Sequence, residues 1–265
     1  MDLFYRKYGN GPPLIILHGL FGSSDNWTTV AKSLSDTFTV ILPDNRNHGR
    51  SPHSEIHDYN VMSNDLLELA NRLRLEKFFL AGHSMGGKIA VQFALKWPEM
   101  LNGLLVADIS PFRVEDEKRS EFRQHEKILE TMLDMDLTKI SSREEAAKKL
   151  SDAGLHEKTA GFILKNLQRT PGNKFEWKIN APSLYKNMVN ILKGIDRSSA
   201  FSLQVTGFPV IFIRGTESDY LPPEDYDDIR KIFPAAEFID IEGAGHWLHS
   251  DKPEEVIQSI RKLSE

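Results

Sequence analysis

Six short runs of nearly continuous apolar residues punctuate the chain, at positions 14–17, 39–42, 78–81, 104–107, 210–213 and 238–241, each bounded by glycine, proline or polar residues. A strand apolar at successive positions buries both faces, as happens in a parallel sheet covered by helices on two sides. Between these runs, residues 26–34, 61–73, 85–97, 226–233 and 254–263 carry apolar side chains at helical spacing. Alternation of strand and helix predicts an α/β fold with a mostly parallel, doubly wound sheet.

The alternation fails over residues 111–202. That stretch shows no buried strand, only charged amphipathic segments that predict helices at 115–133, 143–153, 157–167 and 182–195. It is far too long for an ordinary connection between two sheet strands. The expectation is a helical cap, residues 111–202, inserted into a core made of residues 1–110 and 203–265.

Composition narrows the class of function. The chain has 265 residues, enough for one large core, with a net charge of −5 and a pI near 6.0. A mildly acidic surface offers no electrostatic footprint for nucleic acid. There is no cysteine, which excludes disulfides and thiolate metal sites. The N-terminus lacks the apolar core of a signal peptide, and no run reaches the length of a membrane helix. These features predict a cytoplasmic protein that does not insert into membranes.

The candidate chemistry begins at Gly82-His83-Ser84-Met85-Gly86, which matches G-x-S-x-G. It follows the 78–81 run and opens the helical segment at Met85. In that setting a serine sits on a strained strand-to-helix turn with its hydroxyl exposed above the sheet. The N–H of Met85 and that of Leu20, on the turn after residues 14–17, could together hold an oxyanion. His18 and the Arg46/His48 pair are read as structural, shaping their loops. A serine nucleophile needs a base. His246, on the glycine-rich loop after the last run, is favoured over His249. Asp108 and Asp219 each follow a predicted strand, and from the residues alone either could orient the imidazole.

Several motifs agree in pointing further. "HGLFGS" from His18, "DNRNHGRSPH" from Asp44, "GHSMGGK" from Gly82, "ADISP" from Ala107 and "FEWKINAPSL" from Phe175 resemble the YbfF-type esterases of the α/β-hydrolase superfamily. The resemblance runs through nearly the whole chain. It implies an α/β-hydrolase fold with a cap, and it places the acid after the family's sixth strand, at Asp108. Asp219 occupies the superfamily's more usual place, after the seventh.

The reaction expected is hydrolysis of a small-molecule acyl ester or thioester through an acyl-enzyme on Ser84, with no cofactor and no metal. Phe21 and Trp247 are expected to touch substrate. Among the cap residues Phe122, Phe162, Trp177, Tyr185 and Met188, Trp177 is the candidate to face the pocket. Two other classes use the same fold: carbon–carbon hydrolases or menaquinone-pathway-type lyases, and receptors that bind ligands without catalysis. The first usually carry an arginine beside the nucleophile, where this chain has Met85 and Gly86. Oligomeric state is not predicted.

Overall fold

A computed structural model describes residues 1–112 and 120–265, with only the backbone of residues 120–122 and 198–199. Five strands and three helices precede the long intervening segment: β1 (Tyr5–Tyr8), β2 (Pro13–Leu17), α1 (Thr28–Leu34), β3 (Thr39–Pro43), α2 (Tyr59–Arg72), β4 (Phe78–His83), α3 (Met85–Lys96) and β5 (Leu101–Ala107). The segment itself holds α4 (Ser120–Asp134), α5 (Arg143–Asp152), α6 (Glu157–Leu164), β6 (Leu167–Arg169), β7 (Phe175–Trp177), α7 (Ala181–Lys186), α8 (Met188–Leu192) and α9 (Arg197–Ala200). The chain then returns to the sheet through β8 (Val210–Gly215), α10 (Tyr226–Ile232), β9 (Ala236–Ile241), α11 (Leu248–Asp251) and α12 (Pro253–Arg261).

The main sheet runs β1-β3-β2-β4-β5-β8-β9, parallel throughout except for β1. Strand periodicity divides the core into two layers. On β2, β5 and β8, Leu14, Ile16, Leu105, Ala107, Ile211 and Ile213 pack with α1 and α12 on one face. Their neighbours Ile15, Leu17, Leu104, Val106, Val210 and Phe212 pack with α2, α3 and α10 on the other. Burying such a Leu or Ile on either face contributes roughly 1.5–3 kcal/mol. Continuous apolar strands were therefore the right signal for a sheet covered on both sides.

Three features depart from the expectation. The edge strand β1 is half-exposed and carries Arg6 and Lys7, so no apolar run announced it. The intervening segment contains the antiparallel hairpin β6–β7, with Leu167 opposite Trp177, where helix alone was expected. Three-residue strands are too short for periodicity to reveal, and Leu167, expected at the end of a helix, begins one of them. The helix expected over 182–195 is divided at Asn187, whose side-chain nitrogen donates to the carbonyls of Ser183 and Glu55 at 2.8 Å each. The start of the helix expected at 115 and the side chain of Phe122 lie outside the described residues.

The two ends of the segment meet at the sheet. Phe112 bridges Ile195 in parallel, and Ile195 N–H donates to the Pro111 carbonyl at 2.8 Å. Among the described residues no helix is long and apolar enough to cross a membrane.

Candidate active site

The register of β4 against β5 pairs His83 with Ala107, so the residues that follow, Ser84 and Asp108, leave the sheet side by side at its carboxyl edge. Ser84 N–H donates to the Ala107 carbonyl at 3.0 Å. It adopts φ 53°, ψ −120°, a conformation that disfavours an L side chain, and caps α3. The turn closes because its glycines leave room: a Cβ at Gly82 would lie 2.2 Å from the Gly86 carbonyl oxygen, and one at Gly86 would lie 2.4 Å from that of Leu17. The G-x-S-x-G motif is thus a requirement of packing at the elbow. Ser84 remains 7% exposed. As N1 of α3, Met85 directs a backbone N–H out of the helix beside it.

Facing the elbow is the turn after β2. A Cβ at Gly19 would lie 3.1 Å from that of Ser84, so the turn rests directly on the serine. Three groups hold its shape. His18 Nδ1 lies 2.8 Å from the Gly19 carbonyl, and Nε2 accepts from Asn45 N–H at 2.9 Å. One nitrogen must donate and the other accept, so the ring is neutral, in keeping with burial that lowers its pKa. Phe21, at φ 61°, donates its N–H to His48 Nε2 at 3.3 Å, while its carbonyl accepts from Asn166 Nδ2 at 2.8 Å. Arg46 makes a bidentate, buried pair with Asp65 on α2 at 2.6 and 2.8 Å and holds the adjoining loop.

Asp108 is fully buried, and its carboxylate accepts three hydrogen bonds. Gly215 N–H reaches Oδ1 at 3.0 Å, while the Ser218 hydroxyl and His246 Nδ1, the latter at 2.7 Å, reach Oδ2. A carboxylate can only accept, so the proton of this contact sits on His246 Nδ1. Tyr220 lies flat on the imidazole, ring centroids 3.7 Å apart and planes 18° from parallel. Asp219 is exposed on the loop between these two contacts and is not the carboxylate at the imidazole. Its position in the sequence was right for the loop; the loop turns Ser218 and Tyr220 inward instead.

Ser84 and His246 line one cavity of about 350 Å³. Leu20, Phe21 and Trp247 form part of its wall, with Ile128 of α4 and Phe162 and Ile163 of α6 on the side of the intervening segment. Trp177 does not line it. Its indole N–H donates to the Met132 carbonyl at 3.2 Å, joining the hairpin to α4. An aromatic in an amphipathic segment can serve that segment's own core, and this one does. Tyr185 is exposed and Met188 buried in the segment. His249 does line the cavity but stacks on Trp27 at 4.5 Å, and burial pushes its pKa down to about 4. Sequence reasoning missed Ser218, Tyr220, His125 and Asp251. None lies in a motif, and only folding brings them to the site.

Comparison with known proteins agrees with this architecture. The alpha/beta hydrolase fold family matches residues 12–253. The sn-1-specific diacylglycerol lipase ABHD11 of Danio rerio is 35% identical, over 98% of this chain and 80% of its own. Esterase YbfF of Escherichia coli is 31% identical over 96% of this chain and 93% of its own. A solved structure of a marine microorganism esterase superposes with a TM-score of 0.94 at 40% identity, covering 99% of both chains. The chain belongs to the α/β-hydrolase family, in its YbfF-type branch, and is a serine hydrolase of carboxylic esters.

Proposed function

We propose that Ser84, His246 and Asp108 form the catalytic triad and that residues 111–202 act as a cap over it. The observation that carries this reading is the 2.7 Å contact of His246 Nδ1 with Asp108, within a cavity that also takes in the elbow serine. His246 Nε2 removes the Ser84 proton as Oγ attacks the ester carbonyl. The tetrahedral oxyanion is held by the N–H groups of Leu20 and Met85. Asp108 keeps the imidazole in the required tautomer and stabilises its protonated form. The imidazolium then protonates the leaving alcohol, and water, activated by the same nitrogen, hydrolyses the acyl-enzyme.

The substrate proposed is a neutral ester with a short to medium acyl chain. Phe21, Ile128, Phe162, Ile163 and Trp247 supply an apolar wall; among the described residues no arginine lines the cavity, and its lysine, Lys158, is paired with Asp251 at 2.6 Å. This speaks against the carboxylate-bearing substrates of the carbon–carbon hydrolases and lyases. The lipase name of the Danio rerio relative adds acylglycerols to the esters worth testing. An acyl thioester would form the same acyl-enzyme and belongs to the proposal, as does a cytoplasmic location. Labelling the folded protein with a fluorophosphonate tests the assignment. The expected product is one adduct, on the peptide bearing Ser84, absent from Ser84→Ala. A label elsewhere, or none, would overturn it.

A further inference from the structure

The residue before the nucleophile has no part in the chemistry described so far. His83 ends β4 and is 3% exposed. Its Nε2 lies 2.7 Å from the backbone carbonyl oxygen of His246, across 163 residues of chain. A carbonyl can only accept, so Nε2 carries the proton and donates. The ring is neutral, because burial, and then the nearby His246 and His249, hold its pKa well below the ordinary histidine value. Its other nitrogen faces the turn after β2, where a Cβ at Gly19 would lie 2.9 Å from Nδ1. One side chain thus adjoins Ser84, bonds the backbone of His246 and packs on the turn that carries Leu20.

We propose that His83 is a positioning residue that sets the separation of Ser84 and His246 through its hydrogen bond to the His246 carbonyl. The inference rests on the assignment of those two residues above. The remaining contacts of His246 refer it to other parts of the fold. Asp108 and Tyr220 locate the imidazole relative to the ends of β5 and β8, and Asp251, at the end of α11, holds the preceding Gly245 N–H at 3.1 Å. The His83 bond refers the base to β4, the strand that carries the nucleophile. Without it the loop can drift while Asp108 and His246 stay paired. A displacement of about 1 Å between reacting groups can cost on the order of 10² in rate.

The test compares His83→Leu, which fills similar volume without a donor, with His83→Gln, whose amide nitrogen falls near the place of Nε2. Kinetics on p-nitrophenyl acetate, in the full chain, read kcat and KM separately. His83→Leu is expected to lower kcat about 10- to 100-fold with KM changed less than about threefold, and His83→Gln to recover kcat to within about fivefold of the parent. His83→Asn supplies a second contrast if the leucine variant does not fold. Its shorter side chain does not reach the carbonyl, so it should lose kcat where glutamine keeps it. Full activity in His83→Leu, or equal losses in glutamine and asparagine variants, overturns the positioning role. Failure of the underlying assignment looks different: Ser84→Ala would then keep its activity whatever stands at position 83.

Discussion

Ser84 lies on the floor of the cavity with Asp108 and Gly215 buried beneath it; the three sit at the carboxyl ends of adjacent parallel strands, where backbone hydrogen bonds locate them. On the opposite wall, Ile128, Phe162 and Ile163 project from α4 and α6. The segment that carries that wall is tied to the rest of the fold mostly through side chains: Asn166 to the Phe21 carbonyl, Lys158 to Asp251, and, at α8, Tyr59 and Lys88 to the carbonyls of Ile191 and Leu192. A register of strands fixes positions to fractions of an ångström, as bond-making requires. Side-chain ties on helices tolerate substitution and shift. The floor is therefore where chemistry should be lost outright by a single change, and the other wall is where it should be retuned.

The sharpest way to break that contrast is to change the two aspartates that the sequence left as alternatives. Asp108→Asn removes the charge beside His246 and permits the wrong tautomer, so kcat should fall on the order of 10⁴-fold. Asp219→Asn, on an exposed position of the loop after β8, should change kcat less than about threefold. Steady-state kinetics on one ester, with circular dichroism to confirm folding, read both. A large loss in Asp219→Asn would show that the buried carboxylate is not the one that matters.

Acid should act on both regions alike. His249 belongs to the floor and His125 to the α4 wall, and burial pushes each pKa down to about 4, as it does for His57 beneath the loops. A histidine free in the unfolded chain titrates near 6.5, so between these values the unfolded state binds more protons. The stability that comes from keeping these rings neutral is complete above about pH 6.5 and is lost as the pH falls through about 4. Each ring accounts for about 2 kcal/mol between pH 8 and pH 5, and the three together approach the total stability of an ordinary domain. Urea unfolding followed by tryptophan fluorescence and far-UV circular dichroism should show one transition whose midpoint falls steadily from pH 7 to pH 5. Two separated transitions would mean that the α4 wall unfolds independently of the floor.

The same contrast explains what could be read from the sequence. Strand, elbow and helix are contiguous in the chain, so Ser84 with its flanking Gly82 and Gly86 was legible from local spacing, and His246 from its glycine-rich loop after the last strand. Five of the six apolar runs were legible because their strands are buried on both faces, and the edge strand β9 because it keeps an apolar stretch although it is partly exposed. β1 and the β6–β7 hairpin were not, being short and partly exposed. Choosing between Asp108 and Asp219 requires knowing how the loop after β8 turns, which Gly215, Ser218 and Tyr220 decide through contacts more than a hundred residues away in sequence. Trp177 was misplaced for a related reason. Amphipathic spacing says that a side chain is buried, and it does not say against which neighbour.

The α4–α6 wall should respond by degree. Phe162 on α6 faces Trp247, ring centroids 5.2 Å apart, and both line the cavity. Phe162→Ala removes an apolar surface that an acyl chain would cover, while leaving the elbow, the imidazole and Asp108 untouched. A pocket contact of that kind is worth about 1–3 kcal/mol in transition-state binding, spread over the methylenes that reach it. Across a series of p-nitrophenyl esters from acetate to octanoate, kcat/KM should therefore fall about tenfold for the longer chains and hardly change for acetate. The loss should enter through KM, since an acyl chain contacts this wall equally in the bound ester and in the transition state. A uniform fall across the series, carried by kcat, would mean that α6 helps to hold the catalytic groups themselves, and the division between a floor that reacts and a wall that selects would not stand.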